Sequence, residues 1–234
     1  MKFAVIQFPG TNCEIDTAYI LKDLLEQEAD IIWHMQDDLS SYDLVILPGG
    51  SSYGDYLRTG ALAKFSPIIE AIKKHAEQGK LVLGICNGFQ ILTEIGLLPG
   101  AFMKNQNLKF IGDDLFFKVI NNSTPFTSSY SKEQILKLPV AHLEGNYYID
   151  SDQLKELQAQ NRIVLRYCNS QGLCSEQANP NGSVDNIAAV LNERGNVLGM
   201  MPHPERMAEE ILGGQDGLGF FQSILEYHKE RKEQ

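Results

Sequence analysis

Long apolar runs are missing from this sequence of 234 residues, and none reaches the length that a membrane span requires. The N-terminal run Phe3-Ala4-Val5-Ile6 is too short for a signal sequence and suits a first strand, so the chain is expected in the cytoplasm. Cysteine is scarce: Cys13, Cys86, Cys168 and Cys174 make no disulfide framework in a chain of this size. Five residues separate Cys168 from Cys174 and no second ligand pair accompanies them, which speaks against zinc; both read as non-catalytic, and no metal site is expected. Positive charge is outnumbered, 20 Lys and Arg against 30 Asp and Glu, and the net charge of −10 argues against nucleic acid or an anionic membrane as a partner. A G-x-x-x-x-G-K-[ST] phosphate loop is absent, which excludes nucleotide binding of that type. Repeats, low-complexity tracts and linkers are also lacking. What remains, 43% hydrophobic and 21% charged, is the composition of one globular domain over residues 1–234.

Apolar runs and helical patterns alternate through the first half of the chain. Strand-like Lys2 to Phe8 precedes a helix from about Glu14 to Gln27; Ile31-Ile32-Trp33 and Leu44 to Leu47 follow, then a helix from about Lys64 to Glu77 and the run Leu81-Val82-Leu83. This βαβ rhythm predicts an α/β fold, a mostly parallel sheet with helices on both faces. Ligands of such sheets bind beyond the carboxyl ends of the strands, where the pattern places Pro9 to Cys13, Pro48 to Gly54 and the turn around Cys86. The second half is less regular. It offers strands at Leu115 to Ile120, Ile163 to Tyr167, Ile187 to Leu191 and Val197 to Met201, and a last amphipathic helix from about Leu218 to His228.

Cys86 stands in Gly84-Ile85-Cys86-Asn87-Gly88-Phe89-Gln90, directly after a buried-type strand and directly before a helix. A residue at so sharp a junction is forced into a strained backbone with its side chain presented, and only glycine at positions 84 and 88 avoids collision. The unpaired amides of the helix start favour a thiolate. A buried, inert cysteine at a strand end is the alternative, and the seven residues alone weigh the two readings equally.

A cysteine nucleophile needs a base. Of His34, His75, His142, His203 and His228, only His203 has suitable company, in Met201-Pro202-His203-Pro204-Glu205-Arg206. Pro204 favours an extended backbone at His203, so His203 and Glu205 project to one side, and a carboxylate beside an imidazole fixes its tautomer and stabilises the imidazolium. The segment follows the apolar run Val197 to Met200, which delivers it to the sheet edge that carries Cys86. His75 and His228, in charged helical stretches, read as solvated; His34 has no evident catalytic partner. His142, in Ala141-His142-Leu143-Glu144-Gly145-Asn146 beside a strand, reads as a substrate or partner contact near the site, with a strand-end histidine hydrogen-bonded in a loop as the alternative.

The G-x-C-x-G turn followed by His203-Pro204-Glu205 resembles the class I glutamine amidotransferases. Phe8 to Cys13, Pro48-Gly49-Gly50 with Tyr53 to Arg58, Asn87 to Leu92, His142 with Glu144 to Tyr147, Asn179 to Ser183 and Gly199 to Arg206, in order along the chain, are similar to the glutaminase subunits of phosphoribosylformylglycinamidine synthases. Two positions depart from that pattern, Ser51 where an aromatic residue is usual and Leu143 where glycine is common; neither belongs to the triad. The resemblance implies a flavodoxin-like sheet and a Cys86-His203-Glu205 triad that hydrolyses glutamine through a thioester. It implies an oxyanion hole of the Gly50 and Asn87 backbone amides, and contact of Gln90 with the substrate glutamine. It also implies a separate ATP-dependent synthetase subunit that consumes the ammonia, together with a small accessory subunit, ATP and Mg²⁺ belonging to the synthetase and no cofactor to this chain. A hydrolase on the same fold and a non-enzymatic module are the competing readings; retained high activity without partners would favour the first, and an unreactive Cys86 the second.

Overall fold

The computed structural model describes residues 1–233. Strands β1 (Lys2–Gln7), β2 (Glu28–Trp33), β3 (Leu44–Leu47) and β4 (Leu81–Ile85) alternate with helices α1 (Glu14–Tyr19, continued by a π-helical turn Ile20–Leu24) and α2 (Ile68–Glu77). Helix α3 (Asn87–Glu94) follows, then β5 (Ala101–Met103), β6 (Ile111–Val119), β7 (Ile135–His142), β8 (Asn146–Tyr148), helix α4 (Ser151–Ala159), β9 (Ile163–Cys168), β10 (Ile187–Leu191), β11 (Val197–Met200) and α5 (Leu218–Glu233). Nine strands form one sheet in the order β2-β1-β3-β4-β11-β10-β9-β6-β7. The first five run parallel, and the remaining four extend the sheet antiparallel from β11. Among the described residues no helix is long and apolar enough to cross a membrane.

Burial explains the parallel half. Every residue of β3, β4 and β11 is buried, as strands covered on both faces require. Helix α3 packs on β3, β4 and β11 because glycines let it approach: a Cβ on Gly84 would lie 2.8 Å from the Gly88 backbone, and one on Gly199 would lie 2.1 Å from the Phe89 ring. Phe89 then stacks on Tyr147 at 5.6 Å, Phe102 meets both rings edge-on at 4.8 and 5.6 Å, and the three tie the two-stranded sheet β5-β8 to α3. Helix α2 starts at Ile68, later than the sequence pattern suggests, because Pro67 pushes Ser66 into extended backbone at ψ 141°. The short strands β5 and β8 and helix α4, capped by Asp150 on the amides of Asp152 and Gln153, had no counterpart in the predicted elements, and the edge strand β7 was expected only as the strand beside His142.

Candidate active site

Four parallel strands end at one edge of the sheet, and each delivers part of the site there. After β4, Cys86 bridges strand and helix at φ 50°, ψ −105°, a conformation that costs an L-residue about 1–3 kcal/mol. The G-x-C-x-G spacing is steric, as predicted: a Cβ on Gly88 would sit 1.8 Å from the Leu47 carbonyl oxygen. The Cys86 amide donates to the Met200 carbonyl at 2.7 Å, and its thiol lies 3.6 Å from the Ala141 carbonyl oxygen of β7.

After β11, His203 takes the extended conformation that Pro204 favours, φ −100°, ψ 90°, and its amide donates to the Pro139 carbonyl at 2.9 Å. His203 Nδ1 lies 2.6 Å from Glu205 Oε1, and both side chains are shut off from solvent. Burial alone would keep the ring neutral, but the Glu205 carboxylate, then the Cys86 sulfur, overturn it and raise the His203 pKa well above its ordinary value. His203 Nε2 and Glu205 Oε2 have no hydrogen-bond partner.

After β3, the Gly49-Gly50 turn is held by the segment that follows β1. The amides of Asn12 and Cys13 donate to the Gly49 carbonyl at 3.3 and 3.2 Å, and Ser51 donates to the Gly10 carbonyl at 2.9 Å. Gly50 has φ 149°, and a Cβ there would lie 2.7 Å from Thr11 Cα, so no other residue fits. The N–H groups of Gly50 and Asn87 make no hydrogen bond to protein among the described residues. The loop from Ser52 onward lies along α3: Ser52 N–H donates to Asn87 Oδ1 at 3.1 Å, and Arg58 forks onto Glu94 at 2.6 and 2.8 Å.

Gln90 lies in the first turn of α3 with its amide engaged: Oε1 accepts from Asn87 at 3.0 Å and Nε2 donates to the Glu144 carbonyl at 2.7 Å. His142 is buried at the end of β7, next to the carbonyl that faces Cys86. Asn105 donates its amide to two carbonyls, so its Oδ1, 3.1 Å from His142 Nδ1, must accept. Burial, then the charge of His203, push the His142 pKa down to about 4, which leaves a neutral ring with a free Nε2. Tyr53 hydrogen-bonds His34 and Ser66 at 3.1 and 2.9 Å. His75 is not solvated: it is 2% exposed, and burial pushes its pKa down to about 4. His228 is also partly buried, 3.9 Å from Asp43.

One side chain was missed. Cys13 is fully buried with its sulfur 3.9 Å from His203 Nδ1 and 3.1 Å from Arg206 Nη2. The three-residue cluster of His203 and Glu205 with a cysteine is therefore formed with Cys13. The sequence held one clue, the position of Cys13 in a loop at the same sheet edge.

The sheet, the strained cysteine turn and the buried His-Glu pair define a glutamine amidotransferase. Residues 1–214 match the CobB/CobQ-like glutamine amidotransferase domain, and the chain belongs to that family of enzymes. It is similar to a chain of the PurLQS structure from Thermotoga maritima, at 46% identity over 97% of this chain and 98% of that one, with a TM-score of 0.85. The fold alone is shared with a glutamine amidotransferase from Thermotoga maritima, 16% identical over 100% of this chain and 84% of that one, TM-score 0.56. It is shared likewise with the CTPS glutaminase domain of Trypanosoma brucei, which carries bound acivicin, 12% identical over 97% and 94%, TM-score 0.61.

Proposed function

We propose that this chain is the glutaminase subunit of a phosphoribosylformylglycinamidine synthase, releasing ammonia from glutamine for an ATP-dependent synthetase subunit. One observation carries the chemistry: a cysteine strained into a strand-to-helix turn at φ 50° beside a buried imidazole whose Nδ1 lies 2.6 Å from a carboxylate. The Cys86 thiolate attacks the side-chain amide carbon of glutamine. The amide oxygen becomes an oxyanion to which the N–H groups of Gly50 and Asn87 donate, and losing one such donor costs about 10²–10³ in rate. His203, held as imidazolium by Glu205, protonates the departing nitrogen, and ammonia leaves a glutamyl thioester on Cys86. His203 then takes a proton from water, which attacks the thioester, and glutamate departs. Gln90 exchanges its contact with the Glu144 carbonyl for one to the substrate.

The similarity to the Thermotoga maritima PurLQS chain over almost the whole length supports the assembly. The synthetase and a small accessory subunit are the partners, and ATP and Mg²⁺ act on the synthetase. The test is glutamate release by the chain alone and with the two subunits. Weak activity alone, strong activity in the complex and none in Cys86→Ala are expected; full activity without partners would refute the coupling.

A further inference from the structure

Cys13 has no part in the proposed reaction, yet it stands beside the catalytic imidazole. Its Sγ, one ring nitrogen of His203 and a carboxylate oxygen of Glu205 lie within 4.8 Å of one another, all three residues buried. Thiolate, imidazole and carboxylate are the zinc donor set, and zinc bond lengths of about 2.0–2.3 Å place tetrahedral donors roughly 3.3–3.6 Å apart. The Cys13 Sγ to His203 Nδ1 separation of 3.9 Å needs to close slightly, and the Nδ1 to Glu205 Oε1 separation of 2.6 Å needs to open. Glu205 supplies a second reason to read a ligand here: it is 1% exposed, and its Oε2 has no hydrogen-bond partner. A fourth donor is at hand in Asn12 Oδ1, 3.1 Å from the sulfur. Arg206 touches the sulfur at 3.1 Å and has to withdraw; its side chain is 37% exposed and already leans toward Asp16 at 3.5 Å.

We propose that Cys13, His203 and Glu205 form an inhibitory site for a thiophilic divalent cation, zinc(II) fitting best. Binding displaces two protons to solvent, one from the Cys13 thiol and one from His203 Nδ1, and one thiolate with one carboxylate neutralises the dication. The metal takes Nδ1 and pulls Glu205 from the ring, so Nε2 keeps its proton and His203 can no longer cycle between acid and base. The inhibition rests on the proposed glutaminase reaction; the binding does not.

Cobalt(II) titration of the whole chain separates the two. The expected result is one equivalent bound with a thiolate-to-cobalt charge-transfer band, retained in Cys86→Ala, lost in both Cys13→Ser and Cys13→Ala, and bleached by zinc. Near-ultraviolet circular dichroism of each variant checks that it is folded, and the two Cys13 replacements guard against one that is not. In the complex, zinc should inhibit glutamate release reversibly by chelator, with at least a tenfold weaker effect on Cys13→Ser relative to its own metal-free rate. A band that survives in folded Cys13 variants, that vanishes in Cys86→Ala, or that never forms would overturn the site. Binding as described without inhibition would leave the site standing and remove its inhibitory role.

Discussion

The two halves of the sheet do different work. Strands β2-β1-β3-β4-β11 run parallel, so their carboxyl ends share one edge, and Cys86, the Gly49-Gly50 turn, Cys13 and the His203 segment all leave from it. Strands β10-β9-β6-β7 run antiparallel, and their contribution is a wall: two carbonyls of β7, Pro139 toward His203 and Ala141 toward Cys86, and one neutral histidine. The lesson is that the groups proposed to react come from the edge where helix starts and strand ends coincide, whereas the added strands supply shape and fixed dipoles. Substitutions should divide accordingly.

The largest effect is expected in the parallel half. Cys86→Ala should lower glutamate release by roughly 10⁴-fold or more with the fold intact, since it removes a member of a unit that acts together. Glu205→Gln keeps the shape and removes the charge; steady-state kinetics should record a fall in kcat of about 10²–10⁴. Because Glu205 holds the His203 pKa up, the limb of the pH–rate profile that requires imidazolium should move to lower pH in that variant. Gly88→Ala drives a methyl against the Leu47 carbonyl and should cost about 1–3 kcal/mol in urea unfolding. In the antiparallel half, His142→Gln should cost about tenfold in kcat, about 1.4 kcal/mol of barrier. A loss equal to that of Cys86→Ala would erase the contrast and make His142 a reacting group.

An effect of pH crosses both halves. His75 on α2 and His142 on β7 each have a folded pKa of about 4, below the unfolded value of 6.5, so the unfolded chain binds the extra protons. The stability each contributes is complete above 6.5 and is lost as pH falls toward 4. Unfolding at pH 7 and at pH 5 should differ by on the order of 2 kcal/mol for each histidine, and His75→Asn should remove its own share of that slope. An unchanged slope would contradict the burial argument.

The parallel half was legible in the sequence because strands buried on both faces read as unbroken apolar runs, as in Leu44 to Leu47 and Leu81 to Ile85. Strand β7 was legible only in part, beside His142, because it contains Pro139, whose missing N–H is tolerable only on an edge strand. Strands β5 and β8 are three residues each, and α4 buries only Leu157, so neither has a pattern long enough to read. The strained turn at Cys86 and the contact of His203 with Glu205 were legible because each local motif carries its own steric logic. Cys13 was not, since its contact to His203 spans 190 positions of sequence. His75 was misread from the charge around it; its spacing with Ile68, Ile72 and Ala76 already placed it on the buried face of α2.

Two thiols flank one imidazole, and the account stands on which of them reacts. Acid quenching of the complex during glutamine turnover, followed by peptide mass spectrometry of this chain, tests that directly. A glutamyl adduct on the Cys86 peptide, absent from Cys86→Ala, is the expected result. An adduct on the Cys13 peptide, or glutamate release that persists in Cys86→Ala, would contradict the account.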